Sequence, residues 1–532
     1  MLMATDRPAP VLPLLTGARR PGEGWVRLAL YAAWLLLAAW LASRHVLWRD
    51  EVRALSMALA GDSTVAMLRN LQGEGHPALW YLLLRAGHAV AGRAALPGVG
   101  FLIGAAAAAL WAWRAPFRPA VLALVLFGAF CLREYTVLAR NYGMAMLLLF
   151  AFAWAYPRWR GRGWGLGALL ALLCNTNVPS VLLAGALGLF WGVEVLSRDG
   201  WRWTLGWRAW AVGMAVALVG VALCIATVYP PYNDAAVSPL AGRMSAGTVL
   251  HAALNVTAPL SALVPEAWWD WRLSTLLLAA MVVGGVLGLV RSPGGLLAAL
   301  AVTLALPLFF QLVYPGAYRH QALFIAFLLT LYWLVTQGGG GRWRGRALLR
   351  PEAQALMQRW GQGALLALLA VQVIMSAGLV AAAARGELYS RSRDLAQLLR
   401  REGLERAVIM ASADVLVEPL PYYAPNPTWL VREEKFGHVV AFTRAAVRDL
   451  TLGGMLTDAR ALRARTGRPV VILMQLPLDP NAPARTWTQG YLGTLRTTPA
   501  EVRVFLAATR VLARFAPTET DEYYDVHLLT AW

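Results

Sequence analysis

Between Trp48 and Tyr81 the sequence reads WRDEVRALSMALAGDSTVAMLRNLQGEGHPALWY, which places Asp50, Glu51, Asp62, Glu74 and His76 between two strongly apolar regions. Acidic residues are scarce around it: residues 1–385 contain thirteen, and four of these fall in this one loop. A carboxylate beside hydrocarbon is costly unless it is paired, solvated or used, so the clustering points to chemistry. A carboxylate in such a place can take a proton from a hydroxyl. A histidine beside it can hydrogen-bond a substrate or cap nearby backbone. Two more polar groups interrupt apolar runs: REYTVLARNY (133–142) carries Arg133, Arg140 and Tyr142, and YRHQ carries Arg319 and His320. Arginine at such a boundary suits a phosphate, or else lipid headgroups and neighbouring carboxylates such as Glu134.

These residues need a scaffold, and the composition says which kind. The 532 residues are 58% hydrophobic and only 14% charged, too little charge to cover a soluble chain of this length. The expected class is an α-helical polytopic membrane protein. The formal charge of +19 is no pointer to nucleic acid, because the arginines gather in short runs between apolar segments, as in cytoplasmic loops of membrane proteins. Cys131, Cys174 and Cys224 are widely spaced in or beside apolar segments and offer neither a disulfide framework nor a zinc pattern. The first apolar run, 25–44, is long enough to span and lacks a small-residue cleavage site.

Arginine placement predicts the topology. A basic start puts the N-terminus in the cytoplasm, so loop 48–76 lies outside. Helical spacing of Val52, Leu55 and Leu59, and of Val65, Met67 and Leu68, predicts two short amphipathic helices in that loop. Residues 77–92 are short for a span and read as an interfacial or re-entrant helix. Crossings then follow at about 99–113, 121–132, 143–156, 166–175, 178–196, 210–229, 273–290, 295–313, 321–336 and 363–384. With the first, that makes eleven, and the C-terminus lies outside. The WWDW group at 268–271 reads as an interfacial aromatic belt or a sugar platform. Asn255-Val256-Thr257 matches a glycosylation sequon by chance more readily than by design. Residues 386–532 have a soluble composition. AVIMAS, PVVILMQ, VRVFLAA and DVHLLTAW read as strands, and RSRDLAQLLRREG and DARALRARTG as helices, which predicts a C-terminal α/β domain without a phosphate-binding glycine loop.

Three stretches together resemble the GT-C membrane glycosyltransferases, in particular the branch of glycosyltransferase family 39 that includes protein O-mannosyltransferases and lipid A aminoarabinose transferases. They are Asp50-Glu51 just after the first span, GEGHPALWYLLLR after the surface helices, and REYTVLARNYGMAMLLL at an outer helix end. NTNVPSVLL and YRHQALF are weaker matches. The resemblance covers about residues 26–340. One departure is Ala78, where relatives commonly carry a second proline after His-Pro. The resemblance implies a GT-C-like module over 1–385 with its catalytic loop at 48–76, and an external domain over 386–532. It also implies a sugar taken from a polyprenyl-phosphate donor at the outer leaflet, with no nucleotide.

Glycosyl transfer to a hydroxyl needs a base for the acceptor proton and cations for the departing phosphate. Asp50 is the expected base and Glu51 its understudy. Glu74 and His76 orient the acceptor, or join Asp50 around a divalent cation; hydrogen bonding is the favoured reading, and no metal ligand is assigned. Arg133, Arg140, Tyr142, Arg319 and His320 form the expected substrate-binding set, with Arg140 and Arg319 the better phosphate ligands. Arg44, His45, Arg49 and Arg53 surround the acidic pair and can lower its pKa. The partners are the carrier-linked sugar, a lipid, glycan or protein acceptor, and membrane lipids; the place is a bacterial inner (plasma) membrane with a periplasmic C-terminal domain. Two other classes compete: a lipid or sugar transporter or flippase, which would show half-repeats and broken helices at mid-depth, and an assembly factor recruiting partners through its external domain.

Overall fold

The structure, a computed structural model, describes residues 12–18, 20–71, 74–229, 245–254, 257–264, 271–343, 350–446 and 448–530. It is built from helices up to residue 384, followed by a mixed α/β region. Among the described residues, seven helices are long and apolar enough to cross a membrane, with Trp164–Cys174 and Arg272–Leu287 as shorter apolar helices. The chain is thus a multi-pass membrane protein. The expected eleven crossings exceed that count because several segments are short: α6 (Pro119–Leu126), for example, has 8 residues, and a separate π-helical turn follows over Phe130–Glu134.

α1 (Glu23–Arg44) leads directly into the polar loop, where the two expected amphipathic helices form as α2 (Arg49–Ala58) and α3 (Thr64–Asn70). α2 buries Val52 and Leu55, while Leu59, just past its end, is exposed. Ser63 caps α3 by accepting the Ala66 N–H at 3.1 Å. The apolar run from Leu79 to Arg114 divides at Gly92, whose φ of +58° only glycine adopts readily. This separates α4 (Leu79–Ala91) from α5 (Ala95–Arg114). α4 packs on both α2 and α5.

α7 (Tyr142–Trp159) and α15 (Leu323–Thr336) pack together in the heart of the bundle. Every residue of α15 from Leu323 to Val335 is buried, as a helix apolar on all sides must be. Trp111, Phe117, Phe150 and Trp333 interlock there, with Trp111 4.9 Å from Phe150 and 5.8 Å from Trp333 between ring centroids. Small residues on α5 let the Arg133–Asn141 turn lie against it. A Cβ on Gly104 would meet Thr136 Oγ1 and, at 2.7 Å, its Cα; one on Gly100 would stand 3.1 Å from the Ala139 Cα.

Beyond residue 385 the predicted helices appear over Ser392–Arg401 and Leu452–Thr466. A six-stranded sheet has parallel β1 (Val408–Ser412) and β5 (Val470–Met474) at its centre, in register from Val408↔Val470 to Ser412↔Met474. Both strands are buried throughout, because alternate residues serve two cores. Ile409 and Val471 face one, and Val408, Met410 and Ile472 the other. Asp525–Leu529 forms the strand expected of DVHLLTAW. VRVFLAA, expected as a strand, is instead the body of helix Pro499–Ala508. Thr498 and Glu501 form a reciprocal capping box with Pro499 in the first turn, and Val502 and Phe505 recur three apart on the buried face. The strand follows at Thr509–Arg514. Asn255, Val256 and residues 268–270 of the aromatic group lie outside the described residues.

Candidate active site

The acidic pair divides between two environments because successive helical residues point about 100° apart. Glu51 is fully buried. It accepts the Trp48 N–H at 3.1 Å and the Ala139 N–H at 2.6 Å, and its Oε2 lies 2.8 Å from His45 Nε2. Glu51 therefore closes the start of α2 and ties that helix to the REYTVLARNY turn. Asp50 points elsewhere, with its side chain about a quarter exposed at 26%.

Around Asp50 the structure gathers residues from three distant stretches. Arg319 Nη2 donates to Asp50 Oδ2 at 2.9 Å. Arg49 Nε lies 3.9 Å from Oδ1, and Arg140 Nη1 donates to the Asp50 backbone carbonyl. Burial pushes the Asp50 carboxyl upward, but Arg140, Arg319 and Arg49 together outweigh it and hold the group at about 2. It is ionised at neutral pH. His76 moves the other way: burial and the Arg140 charge depress it to about 4, so the ring is neutral. Its Nδ1 lies 3.3 Å from the Glu74 carbonyl and so carries the hydrogen, leaving Nε2 to accept from Arg140 Nη2 at 3.4 Å. Two guanidiniums thus flank one carboxylate, leaving the cluster with excess positive charge. The buried Nε–H groups of Arg140 and Arg319 find no acceptor among the described residues. Unpaired buried donors of this kind are rare.

Aromatic contacts fix the two arginines relative to one another. Tyr135 donates its hydroxyl to the Arg319 carbonyl at 2.8 Å, and Tyr142 and His320 meet at 2.7 Å. His320 Nδ1 already accepts the Ala317 N–H at 3.0 Å, so its Nε2–H donates to Tyr142 and the phenolic hydrogen of Tyr142 remains to be placed. The NTNVPS tract contributes from behind: Asn141 donates to the Thr176 carbonyl at 2.6 Å, and Asn177 Oδ1 accepts from Ser180 at the start of the next helix.

Other expected site residues are occupied in pairs of their own. Glu74 is chelated by Arg53, with Nε to Oε1 at 2.8 Å and Nη2 to Oε2 at 2.7 Å. That carboxylate is thus committed away from Asp50 and His76, so the three do not form a cation cage. Among the described residues no group of His, Cys, Asp and Glu stands ready to hold a metal ion. Arg133 takes Glu519 in a two-pronged pair at 2.6 Å, with Tyr389 stacked 4.8 Å away, rather than pairing with adjacent Glu134.

Glu519 belongs to a set of C-terminal acids that sequence reasoning missed. Glu522 accepts the Arg49 N–H at 2.7 Å and the Ser390 hydroxyl at 2.5 Å, Asp521 takes the Arg49 guanidinium, and Glu418 takes that of Arg53. A signal existed: loop 48–76 interleaves Arg49, Arg53 and Arg69 with its own acids, and TETDE (518–522) is an acidic run with no basic residue in it.

The helical bundle, the loop helices folded over its end and the appended mixed sheet make up a fold that a solved membrane-protein structure shares. Across 96% of this chain and 99% of the other, that fold matches the crystal structure of ArnT from Cupriavidus metallidurans in the apo state, at 15% sequence identity and a TM-score of 0.50. ArnT from the same organism bound to undecaprenyl phosphate matches over 95% of this chain and 98% of the other, at 15% identity and a TM-score of 0.47. No family model matches the sequence, and no curated protein matches it.

Proposed function

We propose that this chain transfers a sugar from a polyprenyl-phosphate carrier to a hydroxyl of a lipid, glycan or protein acceptor at the outer face of a bacterial inner membrane. The observation that carries the reading is the convergence of an ionised carboxylate, Asp50, with two arginines whose buried Nε–H groups find no acceptor among the described residues. Asp50 is the general base. The acceptor oxygen attacks the anomeric carbon while its proton passes to Asp50, and the bond from that carbon to the phosphate oxygen breaks. Arg140 and Arg319 hold the carrier phosphate as its charge develops. Attack from the face opposite the phosphate inverts the anomeric centre. His76, neutral, steadies Arg140, and Tyr142 directs its hydroxyl hydrogen toward the phosphate or sugar. Glu51 and Glu74 act by holding α2 and the loop. The fold shared with ArnT supports the reading.

The test is to incubate the purified protein in lipid nanodiscs with a panel of polyprenyl-phosphate sugars and candidate acceptors. Release of free polyprenyl phosphate together with acceptor glycosylation is expected. If no donor in the panel is consumed, while vesicles carrying the protein move the intact lipid between leaflets, the transferase reading is wrong and the chain is a flippase.

A further inference from the structure

We propose that Glu418, in the C-terminal α/β region, is a positioning residue for the site around Asp50, acting through Arg53 and Glu74 on His76; the proposal rests on the transferase reading above. The contacts form an unbroken series. Glu418 is buried and its Oε1 accepts from Arg53 Nη1, which also donates to the Val440 carbonyl at 2.9 Å. The same Oε1 accepts the Val440 N–H at 2.8 Å, so the carboxylate and one backbone unit grip the guanidinium from the C-terminal side. The opposite edge of Arg53 chelates Glu74, and the ring of Phe442 covers it with its centroid 5.0 Å away.

From Glu74 the series reaches the reacting residues in two steps. Gly75 adopts φ +79°, a turn between Glu74, which Arg53 holds, and His76, which meets Arg140. His76 Nδ1–H then bonds the Glu74 carbonyl, and its Nε2 meets Arg140, which holds the Asp50 backbone. Arg53 and Asp50 share α2, so the series closes into a ring. Without Glu418, Arg53 keeps Glu74 but loses the fixed point against which both are set. The edge of the site that carries His76 then drifts relative to Arg140, and sub-ångström placement of reacting groups decides rate.

The experiment compares Glu418→Ala with Glu418→Gln in the full chain. The amide oxygen of Gln can still accept from Arg53, whereas Ala removes the grip. Glu418→Ala should lower turnover on the order of tenfold or more and speed amide hydrogen exchange at residues 74–76. Exchange in β1 and β5 should stay as in wild type, and Glu418→Gln should restore most of the turnover and the slow exchange. Wild-type turnover and exchange in Glu418→Ala would overturn the proposal. So would faster exchange throughout β1 and β5, which would mark a general loss of packing, or a Gln variant as impaired as Ala. The exchange measurement needs no substrate. A wild-type chain inert toward every carrier-linked sugar would sink the transferase reading, and the exchange at 74–76 would still decide whether Glu418 sets the loop.

Discussion

Arg319 donates to the Asp50 carboxylate at 2.9 Å, so a carrier phosphate that recruits this guanidinium competes with Asp50 for it. The competition has a direction. With Arg319 and Arg140 drawn to a phosphate, the charges that hold Asp50 at about 2 are neutralised in part. On the proposed reading the carboxylate would then rise toward its ordinary range and become a better base once the donor is in place. Asp50→Asn should therefore have two opposite effects. Transfer falls by a factor on the order of 10² or more, the scale of losing a general base. Binding of polyprenyl phosphate tightens, on the order of threefold to tenfold, because a partly exposed ion pair no longer has to be broken. Titration of the variant and the wild type with polyprenyl phosphate, read by native mass spectrometry, checks the second effect. Weaker binding by Asp50→Asn would show that the phosphate does not contend for Arg319.

At the level of elements, the turn that carries Arg140 is placed by what is missing from α5. Gly100 and Gly104 leave room for Ala139 and Thr136, and Glu51 then pulls the Ala139 N–H toward α2. Gly104→Ala should push the turn outward, since the added methyl would overlap Thr136. Overpacking of this kind typically costs about 1–3 kcal/mol. A lower melting temperature together with weaker polyprenyl-phosphate binding is the expected pair of outcomes; a melt unchanged from wild type would mean the turn has slack. Much at this scale was legible in the sequence. Val52, Leu55 and Met67 recur at helical spacing, and helices form there; AVIMAS and PVVILMQ are continuous apolar runs, and both become central strands. VRVFLAA was misread because its apolar residues also suit a strand, and the deciding evidence lay just upstream in Thr498, Pro499 and Glu501. The candidate site was legible by residue type but not by pairing. Glu74 and Arg53 are 21 residues apart, and Arg53 and Glu418 are 365 apart. No local pattern records a bond closed across that distance.

For the molecule as a whole, the joint between bundle and C-terminal region should respond to pH. Burial raises Glu418 and Glu522 to about 7, with Arg53 and Arg49 pulling in the opposite direction. The docked carboxyls hold protons that free ones release near the ordinary glutamate value. Their contribution to stability is therefore complete below about 4.5 and is lost as the pH rises through 7. Replacing both with glutamine removes the charge that burial penalises. The double variant should melt higher than wild type at pH 8, with the gap closing by pH 5; a lower melt at pH 8 would show that the carboxylate charges favour docking. The orientation of the whole is tested separately. Cys131, Cys174 and Cys224 are buried, while Asp62 is exposed between α2 and α3. A cysteine at position 62 should react with an impermeant reagent in intact cells. Reaction only after the inner face is opened would invert the topology and move the site to the cytoplasm.

The bond from Glu522 to the start of α2 joins residues 473 apart in the chain, and that separation is also an interval of time. During synthesis α1 and α2 are made early, and Arg49, Arg53 and Arg133 wait while the remaining helices are made. Their carboxylates arrive only when Glu418, Glu519 and Glu522 have been translated. Asp50 is set against Arg140 and Arg319 after that. A nascent or prematurely terminated chain thus holds its early helices without a finished set of ion pairs around α2.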